Sequence, residues 1–137
     1  MTLSTGDFNL CKGKLNRFLI AAHPLVNRIR LPRNQHFVVL SAIYYTAQDP
    51  LVHLPESFTT TELIEAGQRV CSSDWNVLNS NAEPAPHRYQ SCFTTAYIDA
   101  LFDRFHLANN KTVTAARASW TLGVALLHAV GGVMTAA

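Results

Sequence analysis

Charge is scarce in this chain of 137 residues: only 15% are Asp, Glu, Lys or Arg. Eleven basic residues against nine acidic ones leave a formal net charge of +2, too little to name a partner from overall charge. Three cysteines are too few for a small disulfide-built scaffold, and one pair plus a leftover thiol suits a secreted or lumenal piece. The six histidines (His23, His36, His53, His87, His106 and His128) are scattered singly, so no His/Cys cluster has metal-ligand spacing. The acids are equally dispersed, and no carboxylate pair stands out. Neither Gly-x-x-x-x-Gly-Lys-Ser/Thr nor Gly-x-Ser-x-Gly occurs, which excludes the P-loop and the α/β-hydrolase nucleophile turn. Long apolar runs are missing too. Leu122 to Ala137 is interrupted by His128 and Gly131-Gly132 and is shorter than the ~20 residues of a bilayer span, so no transmembrane helix is expected. Met1 to Asn9 shows no charged leader before an apolar stretch, so no signal peptide is expected there.

Hydrophobic residues, by contrast, make up 48% of the chain, enough for a packed core in one domain or a piece of one. The first third is its basic part: six Lys or Arg and no acid lie between Phe8 and Gln48. Lys12, Lys14, Arg17, Arg28, Arg30 and Arg33 interleave there with apolar residues, and Pro24 and Pro32 interrupt any long helix. The preferred reading of residues 1–36 is a solvated connecting segment. The alternatives are a nucleic-acid or anionic-lipid patch, or a targeting leader.

Further along, His36 to Leu40 is β-branched and aromatic and predicts a short buried strand. Ser41 offers an N-cap for a helix over Ala42 to Gln48, stopped by Asp49-Pro50. Such a strand-to-helix corner lines ligand crevices in α/β folds. Thr59 and Glu62 have capping-box spacing before an amphipathic helix through Val70-Cys71, with Trp75 closing its end. Asn76 to His87, with Pro84 and Pro86, predicts a surface loop. Apolar residues recur at helical intervals from Ser91 to Phe105, among them Phe93, Ala96, Tyr97, Ala100 and Leu101. Thr112 to Thr114 predicts a short strand, and Ser119 to Val130 a last helix ended by Gly131. The fold class is therefore α/β with helices dominant.

Four segments carry a resemblance: Leu40-Ser41-Ala42-Ile43-Tyr44-Tyr45, Arg69-Val70-Cys71 with Trp75, Cys92-Phe93 to Ile98, and Trp120-Thr121-Leu122-Gly123. In this order they resemble the C-terminal part of the nucleoside triphosphate diphosphohydrolases, the apyrases and Golgi nucleoside diphosphatases. The resemblance covers about Phe37 to Leu127. It divides the chain into a poorly matched basic segment, 1–36, and a lobe piece, 37–137. The stretch between Cys92 and Trp120 is shorter than the family's, and the Asp-Leu-Gly-Gly and Asp-x-Gly-Ser phosphate loops and the water-activating Glu have no counterpart here.

That resemblance implies part of the second lobe of an actin-like, ribonuclease H-like fold, with the nucleotide between two lobes. It implies hydrolysis of nucleoside tri- and diphosphates with a divalent cation, Ca or Mg, in the complete enzyme. No cation is expected on this chain alone, which is expected to be inactive without the missing N-terminal half of the fold. For the nucleobase it implies Tyr45 as a stacking face. The second face falls on Ser91, with Tyr89 as a substitute; Ser41 lies at the corner and Trp120 packs at the crevice floor. The family's helix-joining disulfide falls on Cys71 and Cys92, leaving Cys11 unpaired. Secreted, cell-surface or Golgi/ER-lumenal location follows, and with it a glycan acceptor at Asn110-Lys111-Thr112, the sequence's single such triplet. Nucleic acid is not a partner on this reading. The alternative is a small non-catalytic module that binds nucleic acid or an acidic surface through the basic first third.

Overall fold

The computed structural model describes residues 6–32, 34–74, 90–107, 111–118 and 120–130. Among them run α1 (Phe8–Ala22), a 3₁₀ turn (Pro24–Arg28), β1 (Phe37–Val39), α2 (Ala42–Gln48), β2 (Ser57–Thr59), α3 (Thr60–Ser72), α4 (Ser91–Arg104), β3 (Thr112–Ala115) and α5 (Trp120–Ala129). Helices dominate a small α/β arrangement.

The sheet has three strands in the order β1-β3-β2. β1 runs parallel to β3 with Phe37 opposite Val113, and β2 runs antiparallel with Phe58 opposite the same residue. Alternation along β3 puts Val113 and Ala115 into the core and Thr112 and Thr114 toward the other face. On that outer face Thr114 Oγ1 lies 2.8 Å from His36 Nε2 and 2.9 Å from Ser57 Oγ. The expected strand at His36–Leu40 is thus present but half-buried: Val39 faces the core while Val38 is exposed. β2 has no counterpart in the sequence reading. Three residues are too few to show a period, and their pairing is made with a strand more than fifty residues away.

The capping box that opens α3 forms as its spacing predicts. Thr59 Oγ1 accepts from the Glu62 amide at 3.3 Å, and Glu62 Oε2 accepts from the Thr59 amide at 2.7 Å. From there Leu63, Ala66, Gly67, Val70 and Cys71 form one buried face. Phe58, Leu63, Ala66, Val70, Ile98, Phe102 and Val113 make up the centre of the larger core cluster, between α3, α4 and the sheet.

α4 sits between two cores. Its buried residues are Ser91, Thr95, Ala96, Ile98, Asp99, Ala100 and Phe102, which occupy most of its circumference. Of the recurring apolar residues, Phe93 is 51% exposed and stacks on Tyr97, with ring centroids 6.0 Å apart. The second core, formed by Phe8, Leu15, Leu19, Cys71, Ala96 and Ala100, joins α4 to α1 and α3.

α1 overturns the expectation of a connecting segment in residues 1–36. Asp7 caps it by accepting from the Leu10 amide at 3.0 Å, and Pro24 falls just after its end. Phe8, Leu15 and Leu19 bury one face, and the Phe8 ring lies close enough to α3 that a Cβ at Gly67 would meet it at 2.3 Å. Lys12 extends inward to Asp99 and Asp103 of α4 at 2.7 and 2.9 Å. Charge interleaved with apolar residues hid a helix whose inner lysine is neutralised by a carboxylate 87 positions away.

Cys71 and Cys92 form a disulfide, with Cα atoms 4.7 Å apart, and Cys11 is free. It ties the last turn of α3 to the first turn of α4. α5 is the opposite case: its described side chains are all exposed.

Candidate functional site

The corner between β1 and α2 positions the residues of greatest chemical interest. Val39 anchors β1 in the core, and Leu40 and Ser41 turn the chain directly into α2. Ser41 does not act as the expected side-chain cap. Its backbone sits at φ 54°, ψ −121°, a left-handed-side conformation that costs an L-residue on the order of 1–3 kcal/mol, and its hydroxyl makes no capping bond. The helix begins instead through backbone bonds, with the Ile43 amide donating to Leu40 O at 3.3 Å and the Tyr45 amide to Ser41 O at 3.0 Å.

Tyr45 is 62% exposed, at the C-terminal end of the β1 direction. Its neighbour Tyr44 is half-buried against the main core and meets it edge-on, with centroids 5.3 Å apart and planes at 76°. One ring is therefore seated in the core and steadies a second that presents an open face. An exposed aromatic face can stack on any nucleobase, since every base has a π surface.

The other end of α2 is closed by a polar junction. Asp49 Oδ1 accepts from the Leu51 amide at 2.8 Å, and Asp49 Oδ2 accepts from Ser91 Oγ at 2.7 Å. Arg69 Nη2 donates to Val52 O at 2.9 Å in the same loop. Ser91, the position implied for a second stacking face, is therefore buried and committed to Asp49. It joins α2 to α4 and offers no surface to a base. Tyr89 and Asn110 lie outside the described residues. Trp120, expected to pack at a crevice floor, is 56% exposed as the first residue of α5. The described geometry thus gathers Ser41, Tyr44 and Tyr45 at one corner and leaves Trp120 unpacked.

Two features went unread in the sequence. One is the Asp49–Ser91 bond, which no local pattern announces. The other is the Lys12–Asp99–Asp103 group. Asp99 is fully enclosed, and burial raises its carboxyl above the ordinary carboxylate range even though the Lys12 bond and charge pull it down. For Lys12, desolvation lowers the ammonium, but bonds to Asp99 and Asp103 outweigh it and leave it raised. Asp99 Oδ1 has no hydrogen-bond partner among the described residues. The group clamps α1 to α4.

Among the described residues, no three His, Cys, Asp or Glu side chains come together. No helix among them is long and apolar enough to cross a membrane. A shallow pocket of about 380 Å³ lies beside the start of α1, lined by Gly6, Asp7, Phe8, Asn9, Gln68 and Ser72. It shares no residue with the Tyr45 corner, and Asp7 in it is already used as a helix cap.

Comparison with known proteins adds what the geometry alone leaves open. The family model described as GDA1/CD39 (nucleoside phosphatase) family matches residues 3–134. That span includes α1 and the basic turn after it. A curated relative, "Probable apyrase 7" of Arabidopsis thaliana, is 33% identical over 69 residues, covering 49% of this chain. The matched part is 9% of that apyrase, so the chain aligns with less than a tenth of its relative's length.

Proposed function

The chain belongs to the GDA1/CD39 (nucleoside phosphatase) family, and from that premise we propose that it forms the nucleoside side of an apyrase-like phosphohydrolase. The reading rests on one observation: Tyr45 stands exposed at the strand-to-helix corner, steadied edge-on by the half-buried Tyr44. In this reading the base of a nucleoside di- or triphosphate stacks on Tyr45 beside Ser41. In the same reading Tyr89 supplies the second face. α2 is held for this task at both ends, by the turn at Ser41 and by the Asp49–Ser91 bond.

Phosphate chemistry lies elsewhere in the proposal. The groups that cradle the phosphates, bind the divalent cation and activate water belong to the other half of an actin-like fold, of which this chain is part of the second lobe. Phosphoryl transfer depends on positioning and on neutralising charge around the phosphates, and the described residues hold no group of three His, Cys, Asp or Glu side chains that could carry a metal for it. By itself the chain is expected to hold a base and to hydrolyse nothing. The Cys71–Cys92 disulfide supports an oxidising compartment, the cell surface or the secretory lumen, where Asn110 becomes a glycan acceptor.

The test is a titration of the purified chain with ADP, UDP and ribose 5-phosphate, followed by NMR shifts and by phosphate release with Ca²⁺ or Mg²⁺. A single stacking face, at ~1–3 kcal/mol per base, predicts dissociation constants of about 10 mM or weaker. The expected outcome is base-dependent shifts around Tyr45 that Tyr45→Ala removes, with no phosphate released. Equal shifts with ribose 5-phosphate, or shifts unchanged by Tyr45→Ala, would sink the base-stacking assignment.

A further inference from the structure

The outer side of α1 and the 3₁₀ turn after it form a surface that the nucleotide reading does not use. Positions 10, 14, 17, 18 and 21 follow one another at helical intervals and share a stripe about 100° wide. Leu10 and Phe18 in that stripe are 59% and 57% exposed, and Lys14 and Arg17 stand exposed between them. The chain then turns at His23, whose ring meets Phe18 edge-on, and presents Leu25 at 69% exposure followed by exposed Arg28. Large apolar side chains thus alternate with cations. Asp7, the cap of α1, stands at the N-terminal end of this stripe, and no further acid lies in the sequence from Phe8 to Gln48.

The inner side of the same helix explains why this surface is not a misplaced core. Phe8, Leu15 and Leu19 already fill the contact with α3 and α4, and Lys12 is drawn inward by Asp99 and Asp103. The clamp holds the helix so that its other side faces outward. Left in water, Leu10, Phe18 and Leu25 gain nothing from exposure.

From this arrangement we infer that the outer face of α1 and its 3₁₀ turn dock onto a lipid surface bearing anionic headgroups. Charge complementarity selects the occupant. Lys14, Arg17 and Arg28 match acidic headgroups, and Phe18 and Leu25 between them reach past the headgroups into the acyl boundary, as in interfacial helices. A nucleic-acid partner would use the same cations but would leave aliphatic Leu10 and Leu25 without a role. A span is excluded for α1, which at 15 residues is too short and is packed along one side.

The experiment is co-sedimentation of the full chain with vesicles of phosphatidylcholine alone or with 30% phosphatidylserine, at low and at physiological salt, with a short RNA and a short DNA duplex as competing probes. Expected is binding to the anionic vesicles only, weakened by salt. Each cation near such a surface contributes about 1 kcal/mol, about five-fold, so Lys14→Gln with Arg17→Gln should weaken binding about thirty-fold. Phe18→Ser with Leu25→Ser should weaken it at least ten-fold. All four positions are exposed, so circular dichroism and melting temperature should stay as in the parent chain. Binding equally to neutral vesicles, binding to the nucleic acids but not to vesicles, or no loss in either double variant would each overturn the inference.

Discussion

The two terminal helices contradict their own compositions. α1 carries three basic residues among fifteen, yet it is fastened to the fold along its length by Phe8, Lys12, Leu15 and Leu19. α5 is apolar almost throughout, yet Trp120, Val124 and Leu126 are each more than half exposed. Hydrophobicity therefore does not decide which helix packs. What decides it is whether a face finds a complementary one: α1 has Gly67 beneath the Phe8 ring and Asp99 beneath the Lys12 ammonium, while the described part of the fold offers α5 neither.

The comparison is broken most directly by removing the contact that holds α1 to α3. Phe8→Ala leaves a cavity over Gly67 between three helices, and truncating a buried Phe costs about 3–5 kcal/mol. Urea unfolding should show that loss in the midpoint, together with early exchange of the α1 amides. A loss below about 1 kcal/mol would mean that α1 is laid on the fold without stabilising it.

Reduction of the disulfide comes next. Cys71 and Cys92 are 21 positions apart, so their bridge restrains the unfolded chain by roughly 3 kcal/mol. It also supports the second core, where Cys71 packs with Phe8 and Ala96. Cys71→Ser with Cys92→Ser should lower the melting temperature in parallel with dithiothreitol treatment of the parent chain. Because α1 rests on these residues and α5 does not, α1 amides should lose protection while those of α5 stay as they were.

The clamp at Lys12 gives a smaller but pH-dependent effect. Lys12→Met leaves the enclosed Asp99 without its counter-charge, at a cost of about 2–3 kcal/mol at neutral pH, below the range for wholly buried pairs because Lys12 is partly exposed. Asp99 is raised by burial, so its contribution to stability is fully present below its unfolded value near 4 and is lost as pH rises through the folded value. Losing Lys12 raises that folded value further. The variant should therefore regain stability when acidified from pH 7 toward pH 4, by more than the parent chain does. The parent has its own limit: Lys12 is raised by its two carboxylates, so its contribution is present below about 10.4 and lost as pH rises through the folded value. A flat difference between variant and parent from pH 4 to 7 would show that Asp99 is not the group responsible.

How much of this was legible depended on how local each cause is. The capping box at Thr59 and Glu62, the end of α2 at Asp49-Pro50 and the extent of α4 are set within a few residues, and the sequence shows them. Cys71 pairing with Cys92 was implied by the family resemblance. α1 was hidden although Phe8, Leu15 and Leu19 lie at helical spacing, because the residues that make it pack, Gly67 and Asp99, are distant in sequence. β2 and the Ser91–Asp49 bond escaped for the same reason. At the candidate site, Tyr45 was implied by the family resemblance, and its exposure is what the structure adds. Neither the exposure of Trp120 nor the committed hydroxyl of Ser91 leaves a trace in composition.

The last prediction concerns the largest side chain of the loose helix. A tryptophan removed from a core costs about 3–5 kcal/mol, as Phe8 should on the other terminal helix. Trp120 is more than half exposed, begins a helix whose other described side chains are also exposed, and belongs to neither core cluster. Trp120→Ala should then change unfolding free energy by less than about 0.5 kcal/mol, the range of ordinary surface substitutions. Alanine is also the better helix former, which offsets part of what little contact is lost. Exposed apolar surface still has a consequence, since Trp120, Val124 and Leu126 present a patch open to association. Light scattering at rising concentration should therefore show less self-association for Trp120→Ala, with an unfolding midpoint close to that of the parent. A loss above about 2 kcal/mol would place Trp120 in a packed contact and remove the contrast with α1. An unchanged midpoint with reduced association would fix α5 as a helix that the described core does not hold.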